Sequence, residues 1–269
     1  MGKNHDQQPQ MLQTMKKKII IIVGITIATL AVFSCSQNDA KVAPESSGKG
    51  GSMARFAIAK NYLYVVDHSS LKYFNIEQPL SPEYIGSLHI EQGIETIFSY
   101  GDNLFLGARA GMHIFDISNP SQPVKLSTYR HIVSCDPVVV DGNIAYVTLR
   151  AGTTCGGGEN LLDVIDIENL NNPVRIQSFN MISPYGLGLA DTLLFVCEGE
   201  WGIRVFNVKD KYMPQQIGQI EDIFGYDVIP LTQNKNLIIT GKTGIFQYDF
   251  TDPMDLKLLS KLSIEQIEP

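Results

Sequence analysis

Five short segments, KYFNI, HIFDI, VIDI, RVFNV and QYDF, recur along the chain and constrain its fold more than any other feature. Each is apolar and carries Asn or Asp beside a turn that holds proline. Those residues are Asn75, Asp116, Asp166, Asn207 and Asp249, spaced 41, 50, 41 and 42 apart. A second signature precedes each one: NYLYVVDH, DNLFLGAR, GNIAYVTLR, DTLLFVCEG and KNLIITGK. Polar turn residues followed by an alternating apolar run are what a β-hairpin requires. A fixed period of this length is the mark of a repeat architecture.

The units span roughly 54–90, 91–132, 133–181, 182–222 and 223–264. Each holds four strand-like pieces; in the second they are Glu95–Tyr100, Asn103–Ala108, Met112–Ile117 and Val124–Tyr129. No stretch sustains a helical period. The pattern predicts an all-β chain folded as a five-bladed β-propeller of four-stranded antiparallel blades. A solenoid of stacked sheets is the structural alternative. Pro79, Pro82, Pro120, Pro123, Pro173, Pro214 and Pro253 fall between the third and fourth strands. Proline cannot donate to a ladder, so a turn beside the outermost strand suits it.

The repeat begins only after a different kind of segment. Lys16, Lys17 and Lys18 precede an apolar run of 15 residues, Ile19 to Phe33. A membrane span needs about 20 residues, whereas a signal peptide needs fewer. The closing Val32-Phe33-Ser34-Cys35 resembles a bacterial lipobox, which implies cleavage before Cys35 and diacylglycerol on its thiol. An ordinary secreted protein that happens to carry Cys35 is the other reading. Met15 is a plausible start. Residues 1–34 are therefore expected to be a lipoprotein signal peptide, 35–52 the lipidated cysteine and a flexible Ser/Gly/Asn-rich tether, and 53–269 the propeller. Cleavage leaves 17 basic against 27 acidic residues, a net of −10. Such a body repels anionic lipid, so acyl chains, at about 0.8 kcal/mol per buried CH₂, must hold it to the membrane. A nucleic-acid-binding surface is disfavoured by the same charge. The expected location is the bacterial cell envelope, extracytoplasmic, with the outer membrane preferred to the inner.

The turns DISNPSQPV and DIENLNNPV, after GMHIF and LLDVI, resemble the LVIVD repeat of bacterial surface proteins. The resemblance runs through all five units, is best in the second and third, and departs at Asn75, Asn207 and DFTDPMDLK. It implies a propeller and an extracytoplasmic location, and no settled biochemical activity.

A propeller brings the starts of first strands and the ends of second strands to one face, here called the top. The starts are Ala54, Glu95, Asp136, Tyr185 and Asp227; the ends are His68, Arg109, Arg150, Gly199 and Lys242. Glu95 with Arg109, Asp136 with Arg150 and Asp227 with Lys242 make three acid–base pairs. They read either as salt bridges, each under about 1 kcal/mol if exposed, or as a mixed-charge mouth for a polar ligand or partner loop, which Arg55 could join. The fourth unit adds Glu198, Glu200 and the single Trp201 to this face. Trp201 reads as an interface anchor or as a ring folded over its own blade.

Cys135 and Cys155 map to the top of one blade, and a disulfide between them would stabilise by roughly 3 kcal/mol. Two free thiols are the alternative. Cys197 reads as a buried thiol, with no histidine placed to activate it. The histidines show no zinc spacing, and Gly156–Gly158 lack the lysine of a phosphate loop. No cofactor and no metal are expected.

The leading functional reading is a lipid-tethered binding or scaffold module whose top face contacts an envelope protein or a small polar ligand. The alternative is a propeller enzyme of glycoside-hydrolase type using Glu95, Asp136 and Asp227. Against it, basic partners would depress those carboxyl pKa values. A purely structural spacer is the third reading.

Overall fold

A computed structural model of the protein describes residues 51–109, 111–130, 137–151 and 158–264. Cys35, expected to be lipidated, Asp136, and Cys135 and Cys155, expected to pair, lie outside the described residues. What is described is all-β, with one 3₁₀ turn at Thr232–Asn234.

The strands are built in fours. Blade 1 holds β1 (Phe56–Ala59), β2 (Tyr62–Val66), β3 (Ser70–Asn75) and β4 (Glu83–His89). Blade 2 holds β5 (Ile94–Tyr100), β6 (Asn103–Ala108), β7 (Gly111–Asp116) and β8 (Val124–Arg130). Blade 3 holds β9 (Val138–Asp141), β10 (Ile144–Leu149), β11 (Leu161–Asp166) and β12 (Val174–Asn180). Blade 4 holds β13 (Leu187–Ala190), β14 (Leu193–Cys197), β15 (Ile203–Asn207) and β16 (Gln215–Ile220). Blade 5 holds β17 (Gly225–Leu231), β18 (Asn236–Gly241), β19 (Gly244–Asp249) and β20 (Lys257–Ser263). Each sheet runs in chain order with antiparallel neighbours, giving five four-stranded blades.

The repeated Asn or Asp has one physical task. Its side-chain oxygen accepts the backbone N–H two residues on: Asn75 from Glu77, Asp116 from Ser118, Asp166 from Glu168, Asn207 from Lys209 and Asp249 from Thr251, at 2.6–2.9 Å. This is the Asx turn, and either residue supplies the oxygen. The departures at Asn75 and Asn207 therefore keep the geometry. Every third-to-fourth strand pair also shifts register once, at Tyr73/Phe74, Ile114/Phe115, Val164/Ile165, Val205/Phe206 and Gln247/Tyr248. A bulge there adds twist to the outermost strand.

Burial on both faces of the middle blades supplies the core. Four apolar clusters join blade 1 to 2, 2 to 3, 3 to 4 and 4 to 5. The inner strands touch in the same order, β1 on β5, β5 on β9, β9 on β13 and β13 on β17. Among the described residues no comparable cluster joins blade 5 to blade 1. Ile97 of β5 is 1% exposed, yet Phe56, which holds the same register position in β1, is 53% exposed. Met112 of β7 is 0% exposed, and its counterpart Ile245 in β19 is 38% exposed.

A polar clasp bridges this junction. Gly51 and Ser52, the last two residues of the segment read as a tether, are buried against the ring. The Ser52 hydroxyl donates to Asp227 Oδ1 at 3.0 Å, and the Met53 N–H donates to Oδ2 at 3.3 Å. Ser52 Oγ in turn accepts the Leu187 N–H at 2.7 Å. Gly51 lies so close that a Cβ there would fall 1.9 Å from Asp227 Oδ2.

Candidate functional site

The turns after β2, β6, β10, β14 and β18 carry His68, Arg109, Arg150, Gly199 and Lys242, at the end of the blades where β5 and β17 begin. His68 is exposed, and its carbonyl accepts the N–H groups of Gly93 and Ile94. Arg55 is exposed just before β1. Glu95 lies near the start of β5, and Arg109 follows β6 with its N–H donating to the Gly93 carbonyl at 2.8 Å.

The expected Asp227–Lys242 pair does not form. Asp227 points inward to Ser52 and Met53, while Lys242 lies with its ammonium 5.8 Å from the centre of the Phe224 ring. A register shift between Gly225 and Asp227 sets Asp227 opposite Thr240, away from the Lys242 turn. Burial pushes the Asp227 carboxyl from 3.8 up to about 6, against the donors that pull it down.

Glu198 has a different role from the open, ligand-facing one. It is fully buried, with Oε2 2.5 Å from Arg204 Nε and Oε1 accepting the Ile182 N–H at 2.6 Å. It staples the blade from inside. The turn that it begins is tight: Glu198 N–H donates to Gly202 O, Trp201 N–H to Glu198 O and Gly202 N–H to Gly199 O. Gly202 has φ +82, and a Cβ there would lie 1.7 Å from the Ile220 carbonyl. Gly202→Ala is therefore expected to destabilise the fold by about 2–3 kcal/mol, read as a lower urea midpoint. The turn presents Trp201, 49% exposed. Glu200 beside it is exposed as well.

Behind this turn three rings converge. Tyr185 lies 6.0 Å from Phe224 and 5.6 Å from Tyr226, and Phe224 lies 5.0 Å from Tyr226, all edge-to-face. All three are half-buried. Arg150 stacks its guanidinium 3.7 Å over the Tyr185 ring. The Thr148 hydroxyl fixes the Tyr185 backbone by donating to its carbonyl at 2.6 Å. Sequence reasoning found Tyr185 and missed Phe224 and Tyr226. The FGYD run at the entrance to β17 was the available signal, since it aligns with SPYG one unit earlier.

Two further titratable groups are buried. Burial pushes the Cys197 thiol up, and it is a free, buried cysteine. His113 is buried between Thr128 and Glu91, and burial lowers its pKa to about 4, so it is neutral at pH 7. Among the described residues no group of His, Cys, Asp and Glu has the arrangement of a metal site.

Residues 96–130, most of blade 2, match the LVIVD repeat. No curated protein matches the chain. Solved structures similar to it include a protein from Lactobacillus plantarum, at 12% identity and TM-score 0.61, covering 77% of this chain and 69% of that one. The periplasmic gluconolactonase of Pseudomonas aeruginosa is similar at 12% identity and TM-score 0.58, covering 76% and 68%. A functionally unknown protein from Desulfotomaculum acetoxidans is similar at 11% identity and TM-score 0.61, covering 77% and 67%. At these identities the likeness is one of fold.

Proposed function

We propose that the protein is an extracytoplasmic binding module of the bacterial envelope, tethered by lipid on Cys35, whose top face contacts a partner protein or a small polar ligand. The observation that carries this reading is the half-exposed aromatic group at the blade 4–blade 5 junction, flanked by Arg150, Lys242 and the exposed Trp201. Aromatic and arginine side chains at a surface are the usual anchors of recognition. A photocrosslinker at Trp201, used in the native envelope, is expected to give a discrete adduct, while one at Pro120 on the opposite face gives none. Equal labelling from both positions, or none from Trp201, would count against a top-face module.

A propeller enzyme is the second reading. Asp227, with its pKa raised to about 6, has the acidity of a general acid, and one similar structure is a gluconolactonase. Both Asp227 oxygens are engaged by Ser52 and Met53, however, and a substrate would have to displace them. That favours the binding module.

A further inference from the structure

Each junction between blades uses two different faces. In blade 2, Met112 of β7 with Leu126 and Tyr129 of β8 packs forward onto blade 3. Ile97, Leu104 and Phe115 of the same blade face back into the cluster shared with blade 1 and are at most 2% exposed. The contact is heterologous, because a forward face meets a backward face and never its own kind. The row of blades therefore ends in one forward face, on blade 5, and one backward face, on blade 1.

Both end faces keep the side chains of a junction. Strand register sets Ile245, Leu259 and Leu262 of blade 5 at the positions of Met112, Leu126 and Tyr129. All three are apolar, and they are 38%, 52% and 67% exposed. On blade 1, Phe56, Leu63 and Phe74 hold the positions of Ile97, Leu104 and Phe115. Phe56 is exposed and the other two are half-buried. The clasp on Asp227 sits at the inner strands and leaves Phe56 and the three blade 5 residues exposed. Repeat arrays ordinarily end in polar capping faces, and apolar faces left open mark sites of association.

We propose that a second copy of this chain covers these faces, with blade 5 of one copy packed onto blade 1 of the other. The occupant follows from continuity with the four junctions inside the chain. A face shaped for a blade takes a blade, and the chain itself carries the matching face. Where two copies close on each other, both end faces of each are covered. The proposal goes beyond the top-face reading and does not rest on it.

The test is sedimentation velocity of the full chain in detergent at micromolar concentration, where the parent is expected to sediment as an assembly of two or more copies. Phe56→Asp and Leu262→Asp each place a charge in one face and are each expected to weaken association about 10-fold or more. Both side chains are more than half exposed, so both variants are expected to melt as the parent does. Mixing the two variants is expected to restore a dimer, because blade 5 of the Phe56→Asp copy and blade 1 of the Leu262→Asp copy are both unaltered. A monomeric parent, association that survives either substitution, or a mixture that stays monomeric would overturn the proposal. If a charge at either position unfolds the chain, Phe56→Ser and Leu262→Ser carry the same comparison.

Discussion

Glu198→Ala is expected to destabilise the protein by about 3–5 kcal/mol, because it strips a buried arginine of its partner. Arg204 is mostly enclosed, with a side-chain exposure of 16%, and its Nε faces Glu198 Oε2. The substitution also leaves the Ile182 N–H without its acceptor. For a domain of this size, that corresponds to a fall in melting temperature of about 10 °C, measured by circular dichroism. A double variant, Glu198→Leu with Arg204→Met, is expected to regain most of the loss, since two apolar side chains need no mutual neutralisation. A single variant that melts with the parent would return Glu198 to the ligand-facing role first assigned to it.

Asp227 gives the second large effect, and its sign is opposite to that of an ordinary salt-bridged acid. Its pKa rises on folding from 3.8 to about 6 because burial penalises the charged form. Between these values the folded chain binds more protons than the unfolded one. Stability therefore falls as pH rises from about 4 to about 6, and stays lower above that window. Full expression of the shift is worth about 3 kcal/mol. Asp227→Asn is expected to flatten this part of the profile, measured as urea midpoints across pH 4 to 7. A wild-type midpoint that instead climbs steadily through the window would show that the donors from Ser52 and Met53 outweigh burial. Asp227→Ala removes the clasp altogether and is expected to be less stable than Asp227→Asn at every pH.

The blades were legible because each is a local object. Alternation, a hairpin signal and an Asx turn lie within one unit, and the strands of blade 2 fall within one residue of their expected ends. The Asn and Asp of the repeat were found by spacing, and their common hydrogen bond explains why both serve. The site was legible only in outline. Aligning units brought Arg150, Tyr185, Trp201 and Lys242 to one end of the barrel of blades. It did not reveal that Glu198 turns inward, because burial depends on Arg204 across the β14–β15 hairpin. It also did not reveal Asp227's partners, which lie 174 and 175 residues away in the chain. Alignment within a repeat has no access to a contact made outside the repeat.

The clasp also gives the molecule a direction of mechanical weakness. Four junctions are held by interdigitated apolar side chains, whose resistance is spread over many small contacts. At the fifth, the described residues show instead hydrogen bonds made by Ser52 and Met53. A pull transmitted through Gly51 loads those bonds before it reaches any strand. Under tension the bonds to Asp227 and Leu187 are expected to rupture before the blades do. A pull on the chain through Gly51 is thus expected to open this polar clasp before it unravels a blade.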